Sequence, residues 1–149
     1  MTLPPTDFGA FESSAPSAYL GDPLWRVRMF RMASYLAGRA RNDSARLGLH
    51  TSLAQADQLV RAINSIAANI AEGYSRDSDA DRRRFYGYAL GSTREAITWM
   101  DGMGLHEAAS FAEYADLLVQ IRRQLLTSLK RIQRRAPPST RKRGRREPG

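Results

Sequence analysis

Four polar side chains stand at helical spacing within otherwise apolar stretches. Asn69 and Glu72 lie in Ser65-Ile-Ala-Ala-Asn-Ile-Ala-Glu-Gly73, and Ser92 and Glu95 in Ala89-Leu-Gly-Ser-Thr-Arg-Glu95. Residues three apart share one side of a helix, so each pair projects together. Two neighbouring carboxylates can divide acid–base work between them or hold a metal ion. A di-metal bundle, however, needs Glu-x-x-His ligands on facing helices, and the two histidines, His50 and His106, fall in predicted connections. The favoured reading is structural. Asn69 and Glu72 bond exposed helix-end groups and Arg61 or Arg76, which fixes the register of two helices, because buried polar groups must be paired. Gly91 and Ser92 are small enough to let those helices approach closely. The chain has no Cys, which removes disulfides, thiolate metal sites and cysteine nucleophiles. It has no glycine-rich phosphate loop, Ser-His-Asp set or zinc-ligand spacing. No catalytic residue, cofactor or metal is assigned, and the chain is expected not to be an enzyme.

The other chemistry is cationic. The net charge of +8 is unevenly placed: from Arg122 onward there are 11 Lys+Arg and one acid, whereas the first 121 residues carry 12 Arg and 14 acids. Such asymmetry points to a polyanionic partner; a purely solubilising tail and an anionic lipid surface are the alternatives. Three groups of cations are candidates for phosphate contact. Arg82 and Arg83, within Arg82-Arg-Arg84, open the third predicted helix beside Asp77, Asp79 and Asp81, which can neutralise them. Arg122, Arg123, Lys130, Arg131, Arg134 and Arg135 follow the last helix, with Arg123, Lys130 and Arg134 along one flank. Arg141, Lys142, Arg143, Arg145 and Arg146 lie on a tail low in apolar residues. A flexible basic arm favours loose electrostatic contact over base reading. The aromatic residues mostly follow apolar stripes; Tyr86, off-stripe, is the best placed to stack on a base.

These residues need helices to position them. Residues 1–21 are rich in Pro, Ser and Ala without a period and are read as a disordered arm. Asp22-Pro23 is a helix start, and Trp25, Met29, Met32 and Leu36 carry the first helix to about Asn42, with Asp43–His50 as a connector. The second helix starts at Thr51 or Ser52 and stops at Gly73 as a left-handed cap. Ser78 caps the third, whose stripe is Phe85, Tyr88, Ala89, Ser92, Ala96, Trp99 and Met103, ending at Gly102 and Gly104. Ser110-Phe-Ala-Glu113 has capping-box spacing and opens the fourth, which Pro137-Pro138 stops. Four amphipathic helices with short connections predict an all-α, antiparallel up-and-down four-helix bundle over residues 22–136. Residues 137–149 form a disordered Arg-rich tail. No apolar run approaches the roughly 18 residues a bilayer requires. The N-terminus lacks the marks of a secretory signal, so a cytoplasmic protein without a membrane partner is expected.

The central motif resembles the four-helix bundle family named after proteins encoded in intervening sequences of bacterial 23S ribosomal RNA genes. The matching positions are Arg61-Ala62, Ser65-Ile66, Asn69-Ile70-Ala71-Glu72-Gly73, Arg76, Phe85, Gly91-Ser92 and Glu95, and the likeness runs from about Leu24 to Arg135. Ala67 stands where the family often has Pro, and Arg46-Leu-Gly-Leu49 only partly matches the run before the second helix. The resemblance implies an up-and-down bundle, ring-like homopentamers and no known catalytic activity. It also implies kinship with the accessory protein of diversity-generating retroelements, which partners a reverse transcriptase and nucleic acid. Two functions stand open at this point: an oligomeric RNA- or DNA-binding scaffold, with service to a reverse transcriptase as its retroelement form, or a protein–protein adaptor with no nucleic-acid role.

Overall fold

Helix caps and apolar periodicity together set the element order in the computed structural model, which describes residues 4–136. Helices α1 (Phe8–Ser13) and α2 (Ser17–Leu20) and a 3-10 turn (Pro23–Arg26) precede four long helices. These are α3 (Arg28–His50), α4 (Leu53–Tyr74), α5 (Asp79–Gly102) and α6 (Ala112–Arg135), with two 3-10 turns between α5 and α6. No strand occurs among the described residues. Each long helix packs against its chain neighbours, and α3 also meets α6, so the four form a closed antiparallel bundle. Met32, Leu36, Leu47, Leu59, Ile63, Ile66, Ile70, Phe111, Tyr114, Leu118, Ile121 and Leu125 fill its centre with no exposed surface. Burial of this kind supplies the main driving force for the fold.

Local chemistry explains the starts. The Ser52 hydroxyl accepts from the Gln55 N–H, and the Ser78 hydroxyl from Asp81 N–H, so both serines satisfy first-turn donors. Asp22 caps as expected, accepting from Leu24 N–H, but the turn it opens is a short 3-10 segment. Val27, with ψ 105°, is extended and separates that turn from α3. Gly104 takes φ 65°, the left-handed conformation that glycine adopts without steric cost, and ends α5.

Several expectations are corrected. Asp43–His50 is not a connector but the last two turns of α3. Leu47, fully buried, continues the Leu36 and Ala40 face, and Asp43 bonds both Arg39 and Arg46 along the helix. At the α3–α4 hairpin Gly48 lies beside Leu53: a Cβ there would stand 2.6 Å from Leu53 Cδ2, the free end of an exposed side chain. Gly73 is not a left-handed cap: it is buried inside α4. Gly91 does not relieve a close approach, since a Cβ there would meet nothing within 4 Å. The buried stripe of α5 is Tyr86, Ala89, Leu90, Thr93, Ala96 and Met100, rotated from the expected one. Thr93 can be buried because its hydroxyl donates to the Ala89 carbonyl at 2.8 Å. Tyr86 is only 5% exposed and therefore offers no face to a base.

The N-terminal segment also departs from expectation. Asp7 caps α1 by accepting from Ala10 N–H at 2.8 Å. Phe8 and Phe11, one helical turn apart, then pack on Tyr35 of α3 with ring centroids 5.8 and 5.5 Å away. Glu12 pairs with Arg31 at 2.8 Å. Residues 4–27 form a strap across α3. The tail expected over residues 137–149 lies outside the described residues.

A Cβ on Gly73 would lie 2.6 Å from Tyr86 Cδ1 and 3.1 Å from Phe85 Cβ. Gly73→Ala gains helix propensity but forces two packed rings to move. Overpacking of this kind costs about 1–3 kcal/mol. The expected outcome is a lower urea midpoint with an unchanged slope; a midpoint at or above wild type would show that the rings yield freely.

Candidate nucleic-acid interface

The outer face of α6 follows from its inner one. Tyr114, Leu117, Leu118, Ile121, Leu125 and Ile132 are buried. At about 3.6 residues per turn, Arg123, Lys130 and Arg134 fall roughly opposite that stripe and span about 16 Å along the axis. Arg123, Lys130, Arg131, Arg134 and Arg135 are exposed and Arg122 is half-buried. None of the six makes an ion pair among the described residues. The last acid of the helix, Asp116, accepts from Gln120 at 2.8 Å. The helix tolerates this density because Arg134 and Arg135 occupy its last turn, where cations complement the negative end of the dipole.

Arg82 and Arg83 part company. Arg82 donates to the Arg76 carbonyl at 2.8 Å and lies 3.7 Å from Asp79, so it holds the α4–α5 turn together. Arg84 pairs with Asp81 at 3.2 Å. Arg76 and Arg84 both approach the Phe85 ring, at 4.9 and 5.1 Å from its centroid. Arg83 is exposed with no ion-pair partner among the described residues. The up-and-down order sets the start of α5, the end of α6 and the start of α3 at one end of the bundle. Arg83, Lys130, Arg131, Arg134 and Arg135 therefore share a pole with exposed Arg26 and Arg28. Residues 141–146, the third expected basic group, lie outside the described residues.

The polar motif resolves into separate contacts. Asn69 Nδ2 donates to the Ser65 carbonyl at 2.9 Å and to Ser65 Oγ at 3.0 Å. Ser92 Oγ donates to Ser65 Oγ at 2.9 Å, so a relay crosses from α4 to α5. Glu72 pairs with Arg76 one turn on, whereas Arg61 pairs with Asp57 at 2.8 Å and takes no part. Glu95 is exposed and accepts from Trp99 Nε1 at 3.4 Å. The two carboxylates thus have different neighbours. No group of three or more His, Cys, Asp or Glu side chains able to hold a metal occurs among the described residues.

Sequence reasoning missed a denser cluster where α3 meets α6. Tyr35 OH donates to Glu113 Oε1 at 2.5 Å, and Arg39 donates to the same oxygen. Arg39 also bonds the Ser110 carbonyl at 3.2 Å and lies 3.4 Å from Asp43. Tyr114 OH donates to Asp43 Oδ2 at 2.7 Å, with the Arg39 guanidinium 4.9 Å from its ring centroid. Glu113 therefore leaves the expected capping box: α6 has no side-chain cap, and the charge-assisted bonds to Arg39 replace it. Arg39, Asp43 and Arg46 at one-turn spacing were the available signal; their partners 71 to 78 residues away were not.

The fold and surface define a class: antiparallel four-helix bundles with a cationic outer helix and a polar relay between the second and third long helices. The family model described as 23S rRNA-intervening sequence protein matches residues 29–127, and the chain belongs to that family. The match spans the bundle core and leaves out the N-terminal strap and Lys130–Arg135. No curated protein and no solved structure matches the chain.

Burial, then the bond to Glu113, pushes the Tyr35 hydroxyl up to about 12. Burial and the bond to Asp43 raise Tyr114 as well. An unfolded tyrosine ionises near pH 10. Tyr35 therefore stabilises the fold fully below about pH 10, and its contribution is lost as pH climbs through about 12. Urea melts between pH 9 and 12 should show a steady fall in midpoint, with a shallower fall in Tyr35→Phe. A Tyr35→Phe profile parallel to wild type would contradict the assignment.

Proposed function

We propose that the protein is a non-catalytic scaffold that holds RNA or DNA by its phosphates against the outer face of α6 and the adjoining pole of the bundle. One observation carries this reading: Arg123, Lys130, Arg131, Arg134 and Arg135 are exposed and unpaired among the described residues, in a chain whose first 121 residues carry more acids than bases. Unpaired cations repel one another unless an anion neutralises them. Arg83, Arg26 and Arg28 extend the surface, while Arg82 belongs to the fold. The Arg-rich residues 141–146 would add charge without base information.

The reading includes assembly into a homo-oligomer, a pentamer by family resemblance, which would repeat the basic pole around a ring. Leu49 and Leu53, 85% and 74% exposed, supply apolar surface for such contacts. The resemblance to retroelement accessory proteins names the enzyme that such a scaffold would serve, a reverse transcriptase. The family's name fits RNA association more broadly, and gene neighbourhood separates the two settings. In this reading Asn69, Ser65 and Ser92 hold register and do no chemistry.

Gel shifts on structured RNA and duplex DNA across a salt series test the proposal. Each phosphate neutralised contributes about 0.9 to the log–log salt slope on duplex DNA. Reversing Arg123, Lys130 and Arg134 to Glu should weaken binding more than deleting residues 137–149, and should flatten the slope by about 3. Both variants should melt like wild type: Arg123, Lys130 and Arg134 are exposed, and residues 137–149 carry almost no apolar side chains to bury. Absence of binding to RNA or DNA below roughly 10 µM at about 50 mM salt would sink the idea, since non-specific basic surfaces reach that range. Light scattering that shows a clean monomer at micromolar concentrations would overturn the oligomer.

A further inference from the structure

The strap does more than cover α3. Between it and α3 lies an open cleft of about 370 Å³ lined by Phe11, Tyr19, Asp22, Trp25 and Phe30 among others, within the size range of small-ligand pockets, about 300–1,000 Å³. Trp25 sits at the centre of the aromatic set. Its ring centroid is 5.7 Å from Phe11, 6.2 Å from Tyr19 and 6.2 Å from Phe30, with interplanar angles of 49°, 34° and 80°. All four rings line the same cleft. Phe11, Trp25 and Phe30 are half-buried, and Tyr19 is 58% exposed. They are not sealed into the core.

The charge of this cleft is the reverse of the chain's. The protein carries 23 Lys+Arg, yet no Lys, Arg or His lines the cleft, and Asp22 is the one charged residue that does. One Asp22 oxygen accepts from Leu24 N–H at 2.8 Å, and the carboxylate makes no ion pair among the described residues. Arg31 of α3 is already engaged: its Nε bonds Glu12 at 2.8 Å and its NH1 the Trp25 carbonyl at 2.6 Å, and exposed Arg26, in the same 3-10 turn as Trp25, does not line the cleft.

We propose that this cleft binds a small quaternary ammonium ion, held over the Trp25 face and beside the Asp22 carboxylate. The negative faces of aromatic rings attract a cation, with Trp the strongest of the side chains. The degree of substitution follows from hydrogen-bond supply. A primary ammonium or a guanidinium brings three to five N–H donors (Lys and Arg types), and the cleft's side-chain acceptors are Asp22, Ser34 and Tyr19 alone, so most of those donors would have to stay in water and away from the rings. A quaternary ion has no N–H to satisfy, and its alkyl groups gain from contact with the rings. The cleft shares no residue with α6, although Arg26 of the basic pole stands in the same turn as Trp25; most of its lining belongs to the strap, outside the family match, with Phe30 and Ser34 inside it.

Choline and its uncharged carbon analogue 3,3-dimethylbutanol are the probes, since they have the same shape and differ in charge. Ligand-observed NMR on the full chain at constant ionic strength reads the N-methyl or tert-butyl signal. The expected result is saturable choline binding, with the analogue weaker by about tenfold, the size of a partly desolvated cation–π contact. Trp25→Leu should abolish choline binding. If that variant loosens the strap, seen as a change in near-ultraviolet circular dichroism, Asp22→Asn decides instead. It retains an acceptor for Leu24 N–H and should weaken choline about threefold or more while leaving the analogue unchanged, because only an ion feels the lost charge. Equal affinities for choline and the analogue would overturn the proposal, leaving only an apolar cleft. So would unchanged choline binding in Asp22→Asn, or no choline binding up to about 20 mM, far weaker than any cation–π site of this size should be.

Discussion

The bond between Arg39 and Glu113 closes the bundle. Short connections alone oblige α3 to lie beside α4, α4 beside α5 and α5 beside α6; nothing in chain order obliges α6 to return to α3. That last seam is made by Arg39, Tyr35 and Asp43 from one side and Glu113 and Tyr114 from the other. Both charges are partly shielded, with side chains 21% and 30% exposed, so the attraction exceeds that of a surface pair. Its larger effect is geometric. Glu113 accepts from Tyr35, Arg39 and, at 3.4 Å, the backbone of Phe8. One carboxylate thus sets the positions of α3, α6 and the strap. Removing it would leave several donors half-buried without an acceptor, and that costs more than the pair contributes over an apolar substitute.

The elements that can be read from the sequence are those fixed by near neighbours. Ser52, Ser78 and Asp22 cap from two or three residues away from the donors they satisfy, and Gly104 needs only its own missing Cβ. The four-helix layout followed from such signals together with the apolar period. Misreadings arose where distant partners decide. Glu113 has capping-box spacing with Ser110, but Arg39, 74 residues away, claims it. Phe8 and Phe11 look like stray aromatics in a Pro-rich arm until Tyr35 is beside them. On α5 the largest rings misled: Phe85 meets its hydrophobic need by lying near two guanidiniums at the surface, while the smaller Thr93 goes inside by bonding its own helix. The basic residues of α6 were legible as a group, yet only the topology shows that Arg83 joins them while Arg82 is absorbed by the turn.

The distribution of charge follows from the same topology. Helix α5 pairs two of its cations locally, Arg82 with Asp79 and Arg84 with Asp81; α3 does the same for Arg39 and Arg46 through Asp43. The C-terminal half of α6 has no such arrangement. Local pairing stabilises a helix by a few tenths of a kcal/mol per pair, so its absence here is affordable but is not explained by stability. An intermolecular anion, as proposed above, would neutralise these cations.

Helix α6 consequently has two unlike halves. Its first turns carry Glu113 and Tyr114 into the seam that closes the bundle; its last turns carry the exposed cations, anchored by Ile132, which is 5% exposed. Because Ile132 lies between Lys130–Arg131 and Arg134–Arg135, the charged segment is held against the bundle rather than projecting from it. Its cations keep fixed positions relative to Arg83 across the pole. A rigid helix of this kind presents phosphate contacts at set intervals, whereas a flexible basic segment must lose conformational freedom on binding. The seam at one end of α6 therefore governs the geometry of the surface at the other, although no residue of the seam belongs to that surface.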